Sequence, residues 1–228
     1  MEKFRSFYES HPRFHVAIDC VVFGFKDNEL KILIHQRNFE PFQGVWSLMG
    51  GFVRENEDID EAATRVCNEL TGLKDVYMRQ VGAYGKVDRD PGARVVSIAY
   101  CVLIDIDRYN EQLNMINNSY WENINTLPEM LFDHKDMIRD ALKLLQRKVS
   151  REPVGFNLLP PLFTLTQLQT LHEAILGEKM DKRNFRKRVG DMNFIEKTGM
   201  VDKASSRKGA FLYRFNSKEY RRNPEFKL

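Results

Sequence analysis

The stretch Gly51–Leu73, GFVRENEDIDEAATRVCNELTGL, decides how this chain is read. Ile59, Ala62, Ala63, Val66 and Leu70 fall at i, i+3, i+4, i+7 and i+11, the spacing of one apolar helix face. Gly72 stands where a left-handed C-terminal cap belongs. Ahead of the helix, the double glycine Gly50-Gly51 opens a charged loop. Glu57, Arg65 and Glu69 can form an ion-pair network that holds this loop on the helix.

The flanks alternate. Upstream, Phe14–Phe25 (FHVAIDCVVFGF) and Leu30–Arg37 (LKILIHQR) are rich in β-branched and aromatic residues around the turn Lys26–Glu29, the pattern of a hairpin. A loop with Pro41 and Gly44 then leads to a short strand at Val45–Leu48. Downstream, Tyr77–Lys86 and Val95–Ile104 are strand candidates on either side of a turn-rich Asp88–Gly92. A second helix starts near Asp133 and carries Met137, Ile138, Ala141, Leu142 and Leu145 on one side. Pro153, Gly155, Pro160 and Pro161 disfavour regular structure, so a boundary is expected there: 1–150, a linker 151–163, and 164–228.

Composition excludes several classes. The 228 residues are 43% hydrophobic and 29% charged, with 16 Phe and only 8 Pro, which argues for a packed core and against disorder. The mean hydropathy of −0.47 and the lack of a long apolar run argue against a membrane span. The start, MEKFRSFY, has no apolar core of a secretory leader. Cys20, Cys67 and Cys101 form an odd, widely spaced set without CxxC, which fits a reducing cytoplasm better than disulfides or zinc. His15, His35, His134 and His172 show no metal-ligand spacing and are taken as structural.

Charge divides the chain. Residues 150–228 hold 16 Lys and Arg against 9 Asp and Glu, a net +7, whereas residues 1–149 hold 19 against 23, a net −4. A basic tail points to a polyanion partner. Thr164 and Gln167 match a capping box that opens a helix through Leu176, ended by Gly177. Asp181 can cap a second helix over Lys182–Val189, with Phe185, Val189 and Met192 on one face. Lys182, Arg183, Asn184, Arg186 and Lys187 are then left to point outward. Phe194–Lys197 and Ala210–Phe215 flank a basic loop that contains Gly199, Arg207 and Lys208. Together these elements make a winged helix-turn-helix. Its partner is expected to be double-stranded operator DNA: Arg183 and Arg186 suit guanine, Asn184 suits adenine, and Arg207 and Lys208 suit the backbone or minor groove. Homodimerisation is expected because such proteins read two half-sites.

The spacing Gly51-x5-Glu57-x7-Arg65-x3-Glu69-x2-Gly72-Leu73 resembles the Nudix box, and Gly44, Trp46, Leu48, Gly50 and Gly51 resemble the segment that precedes it, with Met49 in place of a proline. The resemblance implies the Nudix fold, a mixed sheet between helices, so the expected class is α+β with a C-terminal winged helix. It also implies acids at positions 66, 69 and 70 that converge on divalent cations. Here these positions are Val66, Glu69 and Leu70, and Val and Leu offer no oxygen. The expectation is therefore no hydrolase, no metal and no cofactor. A magnesium-dependent hydrolase with relocated ligands and a winged helix that contacts protein are the alternatives. ADP-ribose turnover lost on Glu69→Gln would favour the first, and nucleic-acid binding without salt dependence the second.

Three further segments resemble the Nudix-related transcriptional regulators, the NrtR family: Asp88–Tyr100 (DRDPGARVVSIAY), Phe132-Asp133-His134, and Asp181–Lys187 (DKRNFRK). The resemblance is nearest to the family's arabinose-responsive branch, which represses sugar-utilisation operons; other branches answer to ADP-ribose or related metabolites. A cleft over the box would then bind an effector, a sugar such as L-arabinose or alternatively ADP-ribose. Arg37, Phe42, Trp46, Glu57, Glu69, Tyr84, Lys86, Asp88 and Arg89 are the candidates to line it.

Overall fold

The computed structural model describes residues 7–109, 118–203, 209–226 and 228. The apolar run from His15 forms β1 (His15–Lys26), and a tight turn at Asp27 and Asn28, both at positive φ, returns the chain as β2 (Glu29–Gln36). Then follow β3 (Trp46–Ser47), β4 (Met49–Phe52) and α1 (Ile59–Thr71). Asp58 caps α1 in a full capping box with Glu61, and Gly72 closes it at φ 68°, where any other residue would be strained. The strands β5 (Tyr77–Tyr84), β6 (Val95–Ile104) and β7 (Ser119–Asn123) complete a seven-stranded sheet. Its order is β3-β2-β1-β6-β5, with β4 also on β1 and β7 on β2. The β1–β6 pair is parallel and the other pairs are antiparallel.

The period of two in the central strands sorts their side chains between two cores. Ile18, Cys20, Val22, Tyr100, Val102 and Ile104 pack on α1 through Ala62, Ala63, Val66 and Cys67. Val21, Phe23, Ala99, Cys101 and Leu103 face the other way, toward Met137, Ile138, Ala141 and Leu145 of α2 (His134–Val149). The expected α+β sheet between helices is what forms.

The C-terminal part adds a three-stranded sheet ordered β8-β10-β9, from β8 (Phe163–Thr164), β9 (Ile195–Asp202) and β10 (Ala210–Phe215). With it go α3 (Leu165–Leu176), α4 (Lys182–Gly190) and the short α5 (Ser217–Arg222). Thr164 and Gln167 form the expected capping box, and Asp181 accepts from the Asn184 N–H at 2.8 Å. Phe185 and Val189 are buried at 1% and 3% exposure, which anchors α4 by its apolar face. The second core cluster continues into this part through Leu168, Leu171, Ile175 and Phe185, and α2 lies against α3, where Gln146 Nε2 donates to the Ile175 carbonyl at 2.9 Å.

Two expectations need correction. Residues Pro153–Leu158 form a 3-10 helix: proline at its start has the required φ and lacks only an N–H that would be unsatisfied there, and Val154 and Leu158 bury into the core. Gly199 lies within β9 rather than in a loop, because the hairpin continues to Asp202 paired with Ala210.

Candidate functional site

A cavity of about 740 Å³ opens over the loop that precedes α1. Its polar floor is Asp19, Arg89 and His134, backed by Ser97 and Asp133, and it draws on four parts of the chain. Asp19 projects from β1 on the face that carries α2, and Ser97 does so from β6. Ser97 Oγ donates to Asp19 Oδ2 at 2.6 Å. Asp133 and His134 arrive at the N-terminal end of α2, and Arg89 from the loop between β5 and β6. Arg89 donates Nε and Nη2 to the two oxygens of Asp133, at 3.0 and 2.7 Å, a bidentate pair. Burial works against the Arg89 charge, but Asp133 outweighs it and raises the pKa. Arg89 Nη2 also stands 3.8 Å from Asp19 Oδ2, and His134 Nε2 stands 3.6 Å from Asp19 Oδ1. His134 Nδ1 accepts from the Leu48 N–H at 3.1 Å, which leaves the proton on Nε2, facing Asp19. Burial lowers the His134 pKa and keeps the ring neutral.

The box end of the cavity is different. Arg65 Nε donates to Glu57 Oε2 at 2.7 Å, its Nη1 to Glu69 Oε2 at 3.0 Å, and its Nη2 to the Phe52 carbonyl at 2.9 Å. Arg54 donates its backbone N–H to Glu57 Oε1 at 2.8 Å and its Nη2 to Glu69 Oε1 at 3.1 Å. Both box carboxylates are thus occupied by guanidinium and amide donors, and the Arg65 bond holds Glu57 down to about 2. Val66 is buried at 2% in the core beneath Gly51, and Leu70 lines the cavity wall. Neither supplies an oxygen. Among the described residues no cluster of three or more His, Cys, Asp or Glu could hold a metal.

Of the expected effector residues, Arg37, Phe42, Glu69 and Arg89 line the cavity. The other five lie elsewhere. Trp46 packs on the core and meets Tyr120 edge to face at 5.4 Å. Glu57 is taken up by Arg65. Tyr84 is half-buried and donates to Asp140 Oδ2 at 3.1 Å; burial, then the Asp140 bond, push its hydroxyl up. Lys86 and Asp88 remain exposed on a turn closed by the Arg89 N–H on the Lys86 carbonyl, so only Arg89 turns inward. The cavity instead recruits Asp19, Phe39, Phe52, Phe132 and His134, residues missed in the sequence. A signal was present for Asp19, a lone acid inside the apolar run FHVAIDCVVFGF.

On the C-terminal domain, α4 exposes Lys182, Arg183, Asn184, Arg186 and Lys187 while Phe185 and Val189 are buried. No acid stands between them, and Arg183, Asn184 and Lys187 lie on the side away from Phe185 and Val189, a surface suited to a phosphate backbone. Arg207 and Lys208 lie outside the described residues.

Fold and site together define a Nudix domain joined to a winged helix of the DNA-reading type. Residues 13–145 match the NUDIX domain family, and residues 155–215 match the NrtR DNA-binding winged helix domain. The chain is 32% identical over 214 residues, 92% of its length and 85% of the relative's, to the ADPR responsive transcriptional repressor NtrR of Acinetobacter baylyi. The chain belongs to the NrtR family of Nudix-related, DNA-binding transcriptional regulators. It also resembles Shewanella oneidensis NrtR, solved in complex with a 27mer DNA, with a TM-score of 0.81 at 28% identity over 93% of this chain and 97% of that one. The NUDIX domain of the Shewanella protein, solved with ADP ribose, matches 63% of this chain and 97% of that one, with a TM-score of 0.52 at 26% identity. No helix among the described residues is long and apolar enough to cross a membrane.

Proposed function

We propose that this regulator is a repressor whose hold on operator DNA is set by ADP-ribose bound, and left uncut, in the cavity. The observation that carries the reading is the state of the box: Val66 and Leu70 offer no ligands, and Arg54 and Arg65 occupy Glu57 and Glu69. A hard cation needs free, convergent oxygens to bridge a diphosphate and activate water. Without them the cavity binds rather than cleaves. Its volume lies in the ligand-pocket range of about 300–1,000 Å³, and it combines aromatic faces at Phe39, Phe42 and Phe52 with the Arg37 cation. That suits a nucleotide. A single pentose would leave much of the space empty, and the relatives' names refer to ADP-ribose, so ADP-ribose is favoured over L-arabinose.

In this reading Arg183 and Arg186 donate to guanine edges, Asn184 pairs with adenine, and Lys182 and Lys187 hold phosphates. Arg207 and Lys208 add backbone contacts from the wing. A homodimer places two such helices on two half-sites, in the cytoplasm, and the chain divides at the 151–163 linker.

The test is a gel shift on an operator selected from a random-sequence pool. Arg183→Ala should abolish specific binding, added ADP-ribose should release the wild type, and affinity should fall steeply with salt. Wild-type binding no tighter to any selected sequence than to random DNA would overturn the reading.

A further inference from the structure

The cavity floor carries more negative than positive charge. Asp19 and Asp133 face one cation, Arg89, and both of its donating edges toward Asp133 are used. Asp19 is satisfied on one side only. Its Oδ2 accepts from Ser97, whereas among the described residues Oδ1 accepts no hydrogen bond. The side chain is 9% exposed, and that exposure opens into the cavity. Gly50 makes the opening: it pairs with Asp19 across β1 and β4, and any Cβ there would collide with Oδ1. Beside this free acceptor stands a fixed donor, the Nε2–H of His134, its tautomer set by the Leu48 N–H.

An acceptor and a donor side by side match two neighbouring hydroxyls, one donating and one accepting. A phosphate could accept from His134 but has no proton to give Asp19, and it is repelled by the surplus charge. The diphosphate is better placed beside Arg37, whose guanidinium lies 4.1 Å over Phe39 and donates to the Pro41 carbonyl. Phe39, Phe42 and Phe52 are 55%, 36% and 57% exposed, so the stacking surfaces stand at the mouth.

The geometry points to Asp19 and His134 as a reader of the vicinal hydroxyls of a pentose, with the terminal ribose of ADP-ribose inward, its diphosphate at Arg37 and its adenine at the mouth. The inference rests on the effector reading above. A free pentose offers the same hydroxyls, so the experiment separates the two sources.

Isothermal titration of the full chain with ADP-ribose, ADP, an ADP-ribose analogue lacking one vicinal hydroxyl of the terminal ribose, and L-arabinose tests it. The wild type should bind ADP-ribose about tenfold or more tighter than ADP or the deoxy analogue, the worth of a hydrogen bond to a charged group. Asp19→Asn turns the free acceptor into a donor and should bring ADP-ribose down to the level of ADP measured in the same variant. Equal wild-type affinity for ADP-ribose, ADP and the analogue would overturn the inference whether or not the variant folds, and leave the effector standing. Discrimination retained in Asp19→Asn would overturn it too. Binding of L-arabinose alone, lost in Asp19→Asn, would support the floor and overturn the effector; binding of neither would overturn both.

Discussion

Lowering the pH should loosen the winged helix through one residue. His172 on α3 is 1% exposed, with its ring 6.1 Å from Phe185 of α4, and its Nδ1 has no hydrogen-bond partner among the described residues. Burial lowers its pKa from 6.5 to about 4. The folded state therefore refuses a proton that the unfolded chain accepts. The resulting stability is fully present above the unfolded value and is lost as the pH falls from about 6.5 toward 4. At about 1.36 kcal/mol per unit, the shift corresponds to about 3 kcal/mol. That is a large share of the about 5–15 kcal/mol that holds a domain folded. Other buried histidines act in the same sense, His134 among them, so the comparison must be made against a variant. His172→Leu removes the titrating ring and the unpartnered nitrogen together. Urea unfolding should show the two proteins close at pH 7, within about 1.5 kcal/mol for a volume-conserving change. At pH 4 the wild type should have lost about 3 kcal/mol more than the variant. Parallel losses in both proteins would refute the argument.

Two further predictions concern how α4 is presented. Phe185→Ala should cost about 3–5 kcal/mol in urea unfolding, because it empties a fully buried site beneath α4, and should weaken operator binding without removing a single exposed cation. Thr164→Ala should cost about 1 kcal/mol by the loss of the α3 cap, where Thr164 Oγ1 accepts from the Gln167 N–H at 3.1 Å; thermal unfolding followed by circular dichroism reads it.

Much of the fold was legible because local signals agreed with tertiary demands. Gly72, the Thr164 box and the Asp181 cap each act within a few residues and stand where they were expected, and the α1 spacing holds through Val66, with Leu70 exposed on the cavity wall instead of buried. The segment at Pro153 failed because proline at a first turn and proline as a breaker look alike in sequence. The cavity was harder to see. Trp46 and Tyr84 were plausible as stacking or polar groups, but their direction depends on which face of the sheet they take and on partners such as Tyr120 and Asp140 far along the chain. Arg89, Ser97, Asp133 and His134 all lay in segments singled out for family likeness. Only the parallel pairing of β1 with β6 and the landing of α2 beside them show that these residues converge on Asp19.

The central claim is that this cavity holds a diphosphate without cutting it. The most direct test is phosphorus NMR of ADP-ribose incubated with the protein and excess magnesium. The account predicts diphosphate resonances that broaden or shift on binding and persist, with no phosphomonoester signal above a protein-free control. Steady growth of phosphomonoester signals, abolished by Glu69→Gln, would contradict it.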